Sequence, residues 1–229
     1  MLQIELECVY KWLCANKLSL NISKTNSMLI CNRQKVRYLQ STTIDLSMNN
    51  ENVEQVDFFK YLGITLDHHL RYDEYMNQLL GKLNRSLGVV RRASKYVDQV
   101  TRAALYNTLI LPHLDYCSTV WSSSLTQGDI VKLQRIQNSA MRFILGCHPR
   151  THIKDMLTTL HWLSVNQRLH YNLCCLVWKI INGKVPSYLA NTFDHIKNIH
   201  TYNTRSSQNS KLFKSKSHHK SLNFQGTTA

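Results

Sequence analysis

The sequence predicts an α+β fold in which a small antiparallel β segment precedes a mainly helical bundle, and three observations lead there. Apolar residues occur in short β-like runs before residue 70 and at helical spacing after residue 73. Only seven Gly and three Pro interrupt 229 residues, which leaves room for long helices. At 43% hydrophobic residues the chain has enough apolar side chains to bury a core, so wholesale disorder is excluded.

The elements follow in order. Leu2, Leu6, Val9 and Leu13 recur at helical spacing and predict an N-terminal amphipathic helix over 2–18, with no obvious cap and an apolar face ready to pack. Short β-like pieces come next at 27–31, 42–48 and 52–57, with Asn49-Asn50-Glu51 as a hairpin turn. A further strand is expected over 58–67. Met76, Leu79, Leu80, Leu83, Leu87 and Val90 then mark a long helix that opens on Asp73 and Glu74, where acidic groups complement the helix dipole. A helix over 99–111 should be stopped by Pro112, and one over 129–146 should end at Gly146. Two more are expected at 153–160 and 165–182, the last closed by Asn182-Gly183. Beyond Phe193 the periodicity fades into Ser, Asn, Lys and His. The expected organisation is thus 1–70, 71–193 and a disordered basic low-complexity tail over 194–229.

Charge is unevenly placed. The chain carries 28 Lys and Arg against 14 Asp and Glu, but residues 1–70 are balanced at seven of each. Residues 71–194 hold fifteen basic against seven acidic groups, and 195–229 hold six against none. Such a downstream surplus suits a polyanion, with simple solubility as the bland alternative. Lys82, Arg85, Arg91, Arg92 and Lys95 are expected on one helix, where 85, 92 and 95 share a face away from the apolar stripe. Either they contact phosphates or they form a solvated face; Arg102, Lys132, Arg135 and Arg142 extend the basic set. Tyr106, Tyr116, Trp121, Trp162 and Trp178 lie amid helical apolar spacing and read as core rather than as stacking platforms.

Several chemistries are excluded. There is no Gly-rich phosphate loop, no G-x-S-x-G elbow and no H-E-x-x-H. The chain contains no Asp-Asp, and its one adjacent acidic pair, Asp73-Glu74, is explained by the helix start. Seven cysteines form no C-x-x-C pair and read as buried free thiols of a reducing compartment. Cys147, His148, His152 and His161 fit no usual zinc spacing and fall on a helix-to-helix connection, so no metal site is expected. The N-terminus lacks a signal peptide pattern, and the uncharged stretch 103–114 is too short and polar to span a bilayer. An intracellular protein of nucleus or cytoplasm is expected, neither secreted nor held in a membrane.

Two short segments carry a sharper signal. One is Asn21-Ile22-Ser23-Lys24-Thr25; the other is Lys60-Tyr61-Leu62-Gly63. Downstream come Leu111-Pro112-His113-Leu114-Asp115-Tyr116 with Val120-Trp121, then Leu133-Gln134-Arg135-Ile136-Gln137 with Arg142. Arg168-Leu169, 183–189 and Tyr202-Asn203-Thr204-Arg205 complete the series. In this order the motifs resemble the C-terminal palm edge and thumb of the reverse transcriptases of non-LTR (LINE-type) retrotransposons, over roughly residues 8–226.

That resemblance implies roles. Lys24 would sit near the incoming nucleotide as an accessory cation, with an exposed turn lysine as the alternative. Tyr61, Leu62 and Gly63 would match the primer grip, a tight hairpin bracing the primer's terminal phosphate. Lys82, Arg85, Arg92 and Lys95 would lie on the thumb and hold an RNA, RNA–DNA or DNA duplex weakly. The family's catalytic aspartates belong upstream of the N-x-x-K-T element, and the chain begins about twenty residues before that element. The expectation is therefore a truncated fragment of an RNA-directed DNA polymerase, inactive alone, with no cofactor of its own. Mg2+ is expected only in the full-length parent, and the missing polymerase portion is a further partner. The rival expectation is a non-enzymatic helical interaction module or a relic.

Overall fold

The computed structural model describes residues 2–31, 45–49 and 51–190, and the chain divides into two compact units, Met1–Gln78 and Leu79 onward. The expected tail and the piece at 42–44 lie outside the described residues.

The first unit opens with helix α1 (Leu2–Ala15), none of whose residues is buried. Leu2, Ile4, Val9 and Trp12 are all exposed. The helix is fastened at its start by Gln3, whose amide mimics a strand edge: Nε2 donates to the Ser47 carbonyl at 2.7 Å and Oε1 accepts from the Ser47 N–H at 3.1 Å. A 3-10 turn over Ile22–Lys24 leads into β1 (Asn26–Ser27). Strands β2 (Ser47–Met48) and β3 (Glu51–Asn52) pair antiparallel. The turn between them contains Asn49 in the left-handed conformation, which Asn adopts more readily than most residues. Strand β4 (Glu54–Gln55) pairs with β1 in parallel, a departure from the all-antiparallel expectation; the intervening chain supplies the crossover that a parallel pair requires.

Residues 58–67 form not one strand but a hairpin. Strand β5 (Phe58–Tyr61) turns at Leu62-Gly63 into β6 (Ile64–Asp67), with Tyr61 opposite Ile64 and Phe58 opposite Asp67. Both turn residues have positive φ, 47° and 85°, the pattern of a two-residue type I′ loop whose twist matches that of its strands. The run of apolar residues concealed this, because Leu at the first turn position is chemically atypical, whereas the resemblance implied a tight hairpin at Tyr61-Leu62-Gly63. Burial is one-sided: Ile64, Thr65 and Asp67 on β6 are buried, whereas β5 is largely exposed.

Asp67 closes this unit. Its carboxylate accepts from the backbone N–H groups of His69 (2.9 Å), Arg71 (3.0 Å) and Tyr72 (2.6 Å). These bonds knot the loop immediately before helix α2 (Asp73–Ala93). Burial pushes the Asp67 carboxyl upward, but those three donors outweigh it and hold the group below the ordinary carboxylate range.

In the second unit the helical stripe of α2 behaves as the periodicity predicts: Leu83 and Val90 are fully buried. Helix α3 (Gln99–Leu109) is capped by Asp98, which accepts from Thr101 N. Pro112 does not stop it; the chain kinks at Ile110, and Pro112 sits in the first turn of α4 (Leu111–Asp115), where its missing N–H has no partner to lose. Short α5 (Ser118–Trp121) follows through Cys117 in the left-handed conformation. Helix α6 (Gln127–Leu145) starts with a Thr126–Asp129 capping box and ends at Gly146, φ 62°, as the sequence indicates. It is the hub, packing on α3, α7 (Ile153–Leu160) and α8 (Val165–Ile181). Helix α8 begins with a second capping box, Ser164 with Gln167, and α9 (Ser187–Ala190) closes the described chain.

The cysteine expectation is corrected in part. All seven are free, but Cys8, Cys14, Cys117 and Cys174 are exposed and the others half-buried: α1, which carries Cys8 and Cys14, buries no residue, Cys117 lies in the turn before α5, and Cys174 is on the outer face of α8. No helix among the described residues is long and apolar enough to cross a membrane.

Candidate functional site

The residues singled out in the first unit fall in two places. Lys24 ends the Ile22–Lys24 turn, is exposed, and donates its backbone N–H to the Asn21 carbonyl. Beside that turn lies an open groove of about 510 Å3 lined by Ser19, Leu20, Asn21, Ile22, Asn49 and Glu51. Tyr61, Leu62 and Gly63 form the tip of the β5–β6 hairpin, where Tyr61 is 58% and Leu62 71% exposed. A leucine held in the left-handed region and presented to solvent is strained backbone and an uncovered apolar side chain together, the combination that accumulates at functional turns.

In the second unit, Arg85 and Arg92 stand seven residues apart on α2, hence on one face and about 10 Å apart along the axis. Both are exposed and have no carboxylate partner among the described residues. Each guanidinium lies back over a glycine one turn earlier: a Cβ added at Gly81 would stand 3.8 Å from Arg85, and one at Gly88 3.6 Å from Arg92. Lys82 is half-buried one turn before Arg85. Lys95 is not on the helix, since α2 ends at Ala93 and Lys95 lies in the turn that follows.

Other cations of the extended basic set have structural duties. Arg91 lies 5.5 Å from the Phe143 ring centroid, and Arg102 donates to the carbonyls of Val97 and Phe143, satisfying the open end of α6. Arg142 donates to the Pro149 carbonyl, and Lys132 pairs with Asp129. The aromatic expectation splits. Tyr106 and Trp121 are core, and Trp162 stacks on Tyr106 with centroids 4.2 Å apart. Tyr116 and Trp178, by contrast, are 49% and 53% exposed. Trp178 falls on the outer arc of α8, and Tyr116 lies past the end of α4, in the turn that leads to α5.

The downstream motifs converge on two nodes that sequence reasoning did not foresee as partners. Asp115 accepts from Arg168 Nε and Nη2, both at 2.7 Å, in a fork-to-fork pair. Asn172 donates to Asp115 at 3.0 Å and to Ser118 Oγ at 3.0 Å. The node borders a shallow groove of about 330 Å3 between α5 and α8. Burial raises the Asp115 carboxyl, yet the bonds and charge of Arg168, with the Asn172 amide, bring it below the usual value.

The second node is made of neutral amides. Gln134 donates to Gln137 and Asn138 at 2.8 Å each and accepts from the Val165 N–H at 2.9 Å; Gln137 donates to the Leu163 carbonyl at 2.9 Å. The L-Q-R-I-Q motif therefore ties α6 to the start of α8, and its glutamines are structural. The signal that pairs Asp115 with Arg168 was only that both lie in the motif series; 53 residues separate them.

Around Cys147 no metal centre assembles: Cys147 Sγ contacts Met156 Sδ at 3.5 Å, and His148 Nδ1 accepts from Arg150 N. Among the described residues no three His, Cys, Asp or Glu gather where they would hold a metal ion.

No family model and no solved structure matches the chain. A curated protein described as "Probable RNA-directed DNA polymerase from transposon X-element", from Drosophila melanogaster, is 24% identical over 167 residues. The match covers 71% of this chain and 16% of that protein. It supports a reverse-transcriptase-related origin.

Proposed function

We propose that the chain is part of a non-LTR retrotransposon reverse transcriptase, running from the end of the palm through the thumb, and that it holds nucleic acid without polymerising it. On this reading the hairpin tip Tyr61-Leu62-Gly63 braces a primer strand, and Arg85 and Arg92, with Lys82 and Lys95 beside them, contact the phosphates of a duplex. Lys24 is an accessory cation near the nucleotide. The catalytic aspartates belong to another part of the polymerase. The residues present do not fit its Mg2+: the sequence has no Asp-Asp, and the described carboxylates do not converge. No chemical step is assigned to them.

The observation that carries the reading is the pair Arg85 and Arg92. They are exposed and co-facial, and no described carboxylate neutralises them. Duplex binding is largely electrostatic, and each neutralised phosphate contributes a slope of about −0.9 in log K against log salt. Changing Arg85, Arg92 and Lys95 together to Gln should flatten that slope for an RNA–DNA duplex by about two to three units and weaken all sequences alike. An unchanged slope in a chain ending near residue 193, which removes the charges of 195–229, refutes the assignment. An interaction module is the second reading, favoured by the exposed apolar residues of α1. Self-association without duplex binding selects it.

A further inference from the structure

The outer face of α8 contradicts its place beside a core. Tyr171, Cys174, Trp178 and Ile181 are all exposed. At spacings of three, seven and ten residues from the first, they form one stripe about 80° wide, directed away from the buried Val165, Leu169 and Ile180. Tyr171 is 57% and Trp178 53% exposed, about 10 Å apart along the axis, while Tyr188 on α9 is 75% exposed. Large aromatics are uncommon as an exposed row on a helix whose other face is packed.

The charge around this stripe is one-sided. From Met156 to Phe193 there is no Asp or Glu; of the cations in that span Arg168 is taken by Asp115, while Lys179 and Lys184 have no carboxylate partner among the described residues. The Lys184 ammonium stands 4.6 Å from the Trp178 ring centroid, so a cation is already seated at the ring while the residue stays half open to solvent. Exposed aromatics spaced by about 10 Å, with unpaired lysines beside them, match the requirements of an unpaired nucleic-acid strand: bases stack on rings and lysines meet phosphates.

We infer that the Tyr171–Trp178 face of α8 is a stacking surface for single-stranded nucleic acid, separate from the duplex contacts of α2. This goes beyond the polymerase reading and does not depend on it. A mostly apolar stripe also suits a protein surface, but the unpaired Lys179 and Lys184, with Asp115 already taken by Arg168, favour a polyanion.

The test is a titration of a fluorescein-labelled twelve-nucleotide oligouridylate with the full chain, binding being read by anisotropy of the label in every variant, with tryptophan emission recorded alongside in a Trp12→Phe background that removes the other strongly exposed indole. Stacking should quench Trp178 emission. Trp178→Ala and Tyr171→Ala, both at exposed sites, should each weaken binding by about fivefold to a hundredfold, and Trp178→Phe should hold it within a few fold. Lys179→Gln with Lys184→Gln should lower the salt dependence. A chain carrying Arg85→Gln and Arg92→Gln should keep the quench, so failure of the duplex reading leaves this result standing. Binding by Trp178→Ala equal to that of the parent overturns the inference. So does a dimer that sediments as such and dissociates on the same substitution, because the stripe is then a protein interface.

Discussion

Asp115→Ala removes the acceptor from two charge-assisted bonds of 2.7 Å and one of 3.0 Å, leaving Arg168 and Asn172 with unmet donors between α4, α5 and α8. Taken singly, bonds to charged groups contribute about 1.5–3 kcal/mol each. The two side chains are 30% and 33% exposed, so water replaces part of what is lost and the pair is weaker than a buried one. The expected loss is about 2 kcal/mol for the whole node, a shift of about 1 M in the urea midpoint. Asp115→Asn keeps one acceptor and should lose about half as much. The assay is urea unfolding of the single variants, Arg168→Met and the double variant, followed by far-UV circular dichroism and by tryptophan emission. Trp121 is a local reporter, fully buried, with its Nε1 donating to the Tyr116 carbonyl one residue past Asp115. The cycle should yield a coupling of about 2 kcal/mol at neutral pH. Because the folded-state carboxyl is held below its unfolded value of about 3.9, this stabilisation is complete above that value and disappears as pH falls through the lower folded one. A coupling under about 0.5 kcal/mol, or one that persists in strong acid, refutes the reasoning.

Two further outcomes are expected. Burial pushes the Tyr106 phenol up to about 12, Gln137 drawing it back only in part, and its hydroxyl has no well-formed hydrogen bond among the described residues. Tyr106→Phe should therefore be neutral or stabilising by up to about 1 kcal/mol in thermal unfolding; a loss of that size would show the hydroxyl to be bonded. Asp67→Ala should strip protection from the amides of His69, Arg71 and Tyr72 in hydrogen exchange and destabilise the first unit by about 3 kcal/mol. Since the Asp67 carboxyl is depressed, the parent chain should lose this advantage only as pH falls below about 4, and the variant should show no such acid step.

Helix positions were legible because burial imposes a 3.6-residue period that local sequence records directly, and Thr126, Ser164 and Gly146 mark ends by their own chemistry. The β segment was harder. A two-residue strand has no period to read, and the parallel pairing of β1 with β4 is fixed by contacts 28 residues apart. In the residue pattern the β5–β6 turn was hidden by Leu62, which occupies a conformation better suited to Asn or Gly, and the family resemblance alone implied a hairpin there. At the candidate site, exposure decided the outcome. Arg85 and Arg91 look alike in sequence, but Arg91 lies on Phe143 and Arg85 has solvent on its far side. Likewise Trp121 and Trp178 both keep helical spacing, and only the neighbouring elements bury the first and leave the second open.

Gln134 uses both polarities of one side chain, donating twice within its own helix and accepting once from the first turn of another. Glutamate would supply the acceptor without the donors, lysine the donors without the acceptor, and asparagine would have both but fall a methylene short. The position is thus tightly specified by its bonds, although it bears no charge. A glutamine there marks the joint between two helices, and its presence alone is no sign of an activity.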